Sequence, residues 1–294
     1  MVKMGHHVSR IRQVRYTPPT AAVGEIEVNT VTGIRDRGGP REFLAPQRLG
    51  FDLLVRIESG TARHAVDFTG FELGPGDVLW VRAGQVQQWG RIDDLEGPVV
   101  LFGSHAVDGR TRELIGAHAV RPRSHWPAAE LAGTPVERLL EVLRASAERG
   151  VADPGPLRQA ALAHALAVLL IELTLVVPAR SALPPRPTHE AFGWFRDQLE
   201  EQFHSWHQVS QYAERLGYST RTLNRLARHN TGLSAKQLID ERVVLEAKRL
   251  LSHTDSAVAE IAEQVGFDDA SNFSSWFRRH TGTSPAAFRV RSRG

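Results

Sequence analysis

The chain has 294 residues, 41% of them apolar, which suits two domains with cores of their own. It has no cysteine. That excludes disulfides, thiolate zinc sites and a cysteine nucleophile, and it fits a reducing compartment. The formal net charge is only +3, so an anionic partner has to be met by local clustering of charge.

Residues 1–23 read as an N-terminal arm. Its start, Met1-Val2-Lys3-Met4-Gly5-His6-His7, has no apolar run behind the charge, so no secretory leader is expected and a cytoplasmic location is. From residue 24 to about 105 the pattern is β. Ile26, Val28 and Val31 lie in a β-leaning run, and Phe51 to Ile57 is a second. His64, Val66 and Phe68 alternate with Ala65 and Asp67. Gly74-Pro75-Gly76-Asp77 marks a turn, Val78 to Val81 a short strand, and Ala83-Gly84 another turn. Short strands with regular turns predict a small barrel or jelly roll over residues 24–133.

Residues 134–177 are predicted helical. Val136, Leu139, Leu140, Leu143 and Ala147 have helical spacing. The stretch 157–177 is almost wholly apolar, a length that raises a membrane span; His164 and Glu172 inside it, and the lack of a second such run, read against one. Leu162, Leu166, Leu169 and Leu173 form a heptad seam, while Ala163, Ala167 and Leu170 make another side apolar. Either the seam meets a second copy of the chain, or both sides are buried in one monomer. A homodimer through the seam is the expectation. Residues 178–188, with Pro178, Pro184, Pro185 and Pro187, predict a semi-rigid linker.

The remaining segment, 189–294, opens on a helix marked by Phe192, Phe195, Leu199 and Phe203. It then repeats itself. Ala213-Glu214-Arg215-Leu216-Gly217-Tyr218 returns as Ala262-Glu263-Gln264-Val265-Gly266-Phe267, and each copy runs on through an arginine-bearing amphipathic stretch to Thr231-Gly232 or Thr281-Gly282. A short helix, a glycine turn and a second helix opening on polar residues is the helix-turn-helix pattern, here present twice. Ile239, Val243, Ala247 and Leu250 mark a connecting helix, roughly 26 Å long at ~1.5 Å per residue, which would set the two second helices about one DNA turn apart. Arg221, Arg225, Arg228 and Lys236 lie in one acid-free stretch, and Arg278, Arg279, Arg289, Arg291 and Arg293 in another.

Residues 209–289 resemble the DNA-binding domain of the AraC/XylS transcription regulators. The second copy carries the resemblance at Ala262, Gly266-Phe267, Asp269, Ser271, Phe273, Phe277-Arg278-Arg279, Gly282, Ser284-Pro285 and Phe288-Arg289. The first carries it at Ala213, Gly217-Tyr218-Ser219, Leu223, Arg225 and Gly232, with Ala227 and Ala235 departing from Phe277 and Pro285. The run from Leu73 to Val86 is similar to the cupin-like effector domain of many members. The resemblance implies an α+β multidomain chain. Its parts would be a cupin-like barrel, dimerisation helices and an all-α domain (189–294) with two helix-turn-helix motifs. It implies a transcription regulator that binds promoter or operator DNA, responds to a small-molecule effector and works with RNA polymerase. Two other classes remain open: a cupin-type enzyme with a DNA-binding tail, and a regulator that binds no ligand.

In the first reading helix, 220–230, Leu223 and Leu226 face inward and leave Arg221, Asn224, Arg225 and Arg228 outside. Arginine can bond guanine, and asparagine adenine, through two atoms at once; the resemblance puts Arg221, Asn224 and Arg225 at base-touching positions. In the second, 270–280, Ala270, Ser271, Asn272 and Ser275 are the groove-facing candidates, and Ser275 replaces the arginine that the first copy has at Arg225. Thr220, Arg228, Arg278 and Arg279 are expected at phosphates, which position without specifying sequence. Phe273, Trp276 and Phe277 are expected in the core, and Asp268 or Asp269 as the helix cap. For the effector, the candidates are His64, Trp80, Gln87 and Trp89; the resemblance puts Gln87 and Trp89 at contact positions. Gln87 stands where relatives often carry a metal-binding histidine, so no metal, cofactor or catalytic set is expected.

Overall fold

The structure is a computed structural model that describes residues 12–14, 25–38, 44–118, 123–152, 155–176 and 190–293. Contacts divide it into a β-rich unit, Arg12–Pro185, and a helical unit that includes Arg186–Gly294. The expected linker, 178–188, and most of the expected arm, 1–23, lie outside the described residues.

In the β-rich unit the strands and helices run in the order β1 (Arg12–Val14), β2 (Ile26–Thr30), α1 (Val31–Gly38), β3 (Gln47–Leu49), β4 (Asp52–Arg56), β5 (Ala62–Val66), β6 (Thr69–Leu73), β7 (Val78–Val81), β8 (Val86–Trp89) and β9 (Pro98–Phe102). There follow α2 (Gly109–His118), β10 (His125–Trp126), α3 (Ala128–Leu131), α4 (Val136–Ala152) and α5 (Pro156–Leu175). The strands make two five-stranded sheets, β1-β3-β8-β5-β6 and β10-β7-β4-β9-β2. No ladder joins the sheets among the described residues, which corrects the barrel alternative of the expected barrel or jelly roll. Alternation and turns are common to closed and open double-sheet folds; which edge strands pair is set by long-range register that periodicity does not carry.

The two faces of the second sheet explain its unbroken apolar strands. Leu53, Val55, Leu79, Val81, Val99 and Leu101 meet the first sheet. The intervening Leu54, Val78, Trp80, Val100 and Phe102 meet α4 and α5. The Leu162, Leu166, Leu169 and Leu173 seam lies in this second core, each residue 0% exposed. The expectation that it meets a second copy is therefore corrected: the sheet and α4 already occupy it. α5 is long and apolar enough to cross a membrane by composition, and its Leu162, Leu166, Leu169, Leu170 and Leu173 pack within the unit. Two local expectations also change. Val31 opens α1 rather than extending β2. Phe68 stands in the two-residue β5–β6 turn, with positive φ at Asp67 (44°) and Phe68 (70°).

The helical unit consists of α6 (Glu190–Gln202), α7 (Val209–Arg215), α8 (Thr220–Thr231), α9 (Ala235–His253), α10 (Val258–Gln264), α11 (Ala270–Thr281) and α12 (Pro285–Arg293). The sequence repeat becomes a structural one. Gly217 (φ 70°) and Gly266 (φ 86°) turn α7 into α8 and α10 into α11 in the left-handed region, where a side chain is strained. Ser219 and Asp269 cap the second helices by accepting from Thr222 N (3.1 Å) and Asn272 N (2.7 Å). Gly232 and Gly282 end them in αL. Ala227 and Phe277 are both fully buried at equivalent places, so the first copy's small residue is a difference in core filling.

Candidate nucleic-acid interface

On α8 the buried face is Leu223, Leu226 and Ala227. The opposite face is strongly polar and presents Arg221, Arg225 and Arg228, all exposed. Together with Thr222, Asn224, His229 and Ser234 they line an open depression. Thr220 is exposed at the first helical position. None of the three arginines makes an ion pair or side-chain hydrogen bond with a described residue. A row of unengaged guanidinium groups on one helix face is an anion-facing surface.

Asn224 sits on the same side but is occupied. Its Nδ2 donates to the Thr220 carbonyl (3.0 Å) and its Oδ1 accepts from Ala235 N at the start of α9 (3.1 Å). The expectation that Asn224 bonds a base through both atoms is corrected, because in this geometry it joins α8 to α9.

On α11 the core side is Phe273 and Phe277, with Trp276 half-buried against Phe267 (5.0 Å between ring centroids). Ser271, Asn272 and Ser275 are exposed together, and Arg278 and Arg279 follow on the exposed last turn. Ala270 packs against the core rather than the groove side. The α11 surface is small and polar with cations at one end, whereas α8 carries arginine along its length.

The distal arginines divide differently from the expectation. Arg289 donates to the Leu251 carbonyl (3.3 Å) and Ser256 carbonyl (2.5 Å), and Arg293 donates to the Ser252 carbonyl (3.0 Å) and Asp255 (2.7 Å). They fasten α12 to the end of α9 and are not spare charge. Sequence reasoning missed this because a lone arginine near a chain end looks the same whether its acceptor is a phosphate or a carbonyl.

In the β-rich unit, His64, Gln87 and Trp89 share the inward face of the first sheet. His64 pairs with Trp89 across β5 and β8, and Gln87 with Gln47 across β8 and β3. The His64 and Trp89 rings are 4.0 Å apart. His64 is 2% and Gln87 3% exposed. Among the described residues neither His64 ring nitrogen nor Gln87 Oε1 has a hydrogen-bond partner. Burial pushes the His64 pKa down to about 3, so the ring is neutral. Trp80 does not join this group. It lies on the other sheet, facing α4 and α5, with Nε1 donating to Asp52 (2.7 Å) and its ring 6.4 Å from Trp126. The expectation that Trp80 joins His64 among the effector contacts is corrected: β5 and β7 belong to different sheets. Among the described residues no three His, Asp or Glu side chains converge as metal ligands do.

Comparison with known proteins bears on the helical unit first. A family model described as "Helix-turn-helix domain" matches residues 212–291, from α7 into α12. The HTH-type transcriptional activator RhaS of Salmonella arizonae is 28% identical over 246 residues, covering 81% of this chain and 85% of that protein. Its counterpart in Escherichia fergusonii is 27% identical over 252 residues. Among solved structures, the DNA-binding domain of AdpA in complex with a target DNA is 34% identical over 35% of this chain and 93% of that one, with a TM-score of 0.33. ToxT from Vibrio cholerae covers 92% of this chain and 99% of its own at 11% identity, with a TM-score of 0.39. With its repeat inside the matched domain and its alignment to activators running well beyond that domain, the chain belongs to the AraC/XylS family of DNA-binding transcription regulators.

Proposed function

We propose that one chain reads DNA through two helix-turn-helix units, α7–α8 and α10–α11, with α8 and α11 in successive major grooves. The observation that carries this is the pair of isostructural units, each presenting an uncovered polar face on its second helix. α9, 19 residues long, spans about 28 Å at ~1.5 Å per residue, compatible with a ~34 Å groove repeat once the units' widths are added. Arg221 and Arg225 are the base-reading candidates of α8, and Ser271, Asn272 and Ser275 those of α11. Thr220, Arg228, Arg278 and Arg279 hold phosphate. Selection of bound duplexes from a random pool tests the reading: each half-site should hold two conserved stretches about one helical turn apart, and a single short stretch per half-site would overturn it.

The β-rich unit acts in this reading as a non-enzymatic sensor with a cupin-like double sheet. A buried polar atom without a partner costs about 1–3 kcal/mol. His64 and Gln87 supply three such atoms beside the Trp89 ring, with the buried Gln47 side chain next to Gln87. That supports a neutral effector that offers both hydrogen bonds and a flat apolar face.

The dimer remains part of the proposal on a different face of α5. Leu157, Ala161, His164, Val168, Ile171 and Leu175 step 4-3-4-3-4 along its outer side, with Leu157 85%, Val168 45% and Leu175 52% exposed. A second copy doubles the number of half-sites held and raises affinity through linkage. The printed name of the relatives, transcriptional activator, supports RNA polymerase as a partner at the promoter, in the cytoplasm.

A further inference from the structure

The turns of the two helix-turn-helix units differ in what surrounds them. A Cβ at Gly217 would meet nothing within 4 Å, whereas a Cβ at Gly266 would fall 2.4 Å from the His204 carbonyl oxygen. The segment between α6 and α7, which leads into the first unit, is thus pressed onto the turn of the second. His207 fastens it there: Nε2 donates to the Val265 carbonyl at 2.8 Å, and the ring lies 4.8 Å from Phe267. Burial lowers the His207 pKa, so the ring is a neutral donor.

The contacts then run in a circuit. The His207 carbonyl accepts from Lys236 Nζ on α9 at 3.0 Å, and the same ammonium meets Asp240 Oδ1 at 2.8 Å. Asp240 Oδ2 lies 3.5 Å from His280 Nε2 on α11. His280 Nδ1 donates to the Trp276 carbonyl at 2.8 Å, and the Trp276 ring returns to Phe267 at 5.0 Å. The entry to the first unit, the connecting helix and both helices of the second unit are joined in one ring. Among the described residues the first unit has no such ring: its Asn230, equivalent to His280, donates to the Leu226 carbonyl of its own helix, at 2.8 Å.

We propose that this circuit, with His207 and Asp240 as positioning residues, fixes the separation of α8 and α11, so that the protein discriminates among DNA sites by the number of base pairs between the two contacted stretches. The proposal rests on the reading that both helices meet the duplex. Each added base pair moves a groove by ~3.4 Å and turns it by roughly 35°. A hinged pair of units could follow that displacement; a fixed pair cannot.

The test uses the full-length protein and duplexes selected by it, with one base pair inserted or removed between the two conserved stretches of a half-site. The wild type should bind the altered duplexes at least tenfold more weakly. Asp240→Ala and His207→Ala should reduce that penalty below threefold while thermal melting and non-specific binding hold. His207→Gln, whose amide can still donate to the Val265 carbonyl, should restore most of the penalty. If Asp240→Ala does not fold, Asp240→Asn and the His207 pair decide the matter. A wild type indifferent to spacing, or variants that keep the full penalty, would overturn the proposal. Selected sites with only one conserved stretch would instead overturn the reading beneath it.

Discussion

The proposed reading gives Arg225 and Arg278 different tasks. Arg225 stands in the middle of the α8 face with no internal partner among the described residues, so Arg225→Ala should weaken the specific site by about 1–3 kcal/mol and relax preference at one base pair. Arg278→Ala should weaken all sequences alike and lower the salt slope by about one. Titrations on matched and mismatched duplexes at several salt concentrations separate the two. His64 gives a pH prediction. Its folded pKa is lowered to about 3 by burial while the unfolded chain keeps the ordinary 6.5, so its contribution is full above pH 6.5 and is lost as pH falls toward 3. By pH 5 the loss is about 2 kcal/mol. Melting curves of His64→Phe should show a shallower fall between pH 7 and 5 than the wild type; parallel curves would contradict it. The residue types at the interface were legible in the sequence, but their partners were not. Asn224, Arg289 and Arg293 were indistinguishable from DNA ligands until Ala235, Leu251 and Ser252 were seen to hold them.

α5 shows how far a periodic pattern reaches. The leucine seam was visible, and its burial was not, because a heptad states that a face is covered and leaves open by what. The structure puts β2, β4, β7 and β9 on the covering side. Leu169→Ala should thus cost about 2–5 kcal/mol of stability within one chain, and Leu169→Glu should unfold the β-rich unit. Val168→Glu, on the exposed stripe, should leave melting unchanged and convert the dimer to a monomer in sedimentation. A Val168→Glu protein that stays dimeric would move the interface off α5. The helix pairs were read almost to the residue, because each carries its own punctuation in Gly217, Ser219 and Gly232 or Gly266, Asp269 and Gly282. The β strands were read as strands but not as two sheets, since β7 and β5 follow one another closely in sequence and belong to different layers.

Taken as one chain, the protein joins a β-rich unit, the proposed sensor, to a helical DNA-binding unit with a core of its own. The described buried cluster of the helical unit runs from Phe192 to Phe288. The fragment Thr188–Gly294 should therefore fold alone, stay monomeric and bind a half-site with an affinity that falls steeply as salt rises. The central claim is that α8 and α11 of one chain contact two successive grooves. Guanine-N7 methylation interference with this fragment on a selected half-site measures it directly. Two interfering clusters about one helical turn apart are predicted, with Arg225→Ala erasing only the one under α8. A single cluster, or a pattern that Arg225→Ala leaves intact, would contradict the account.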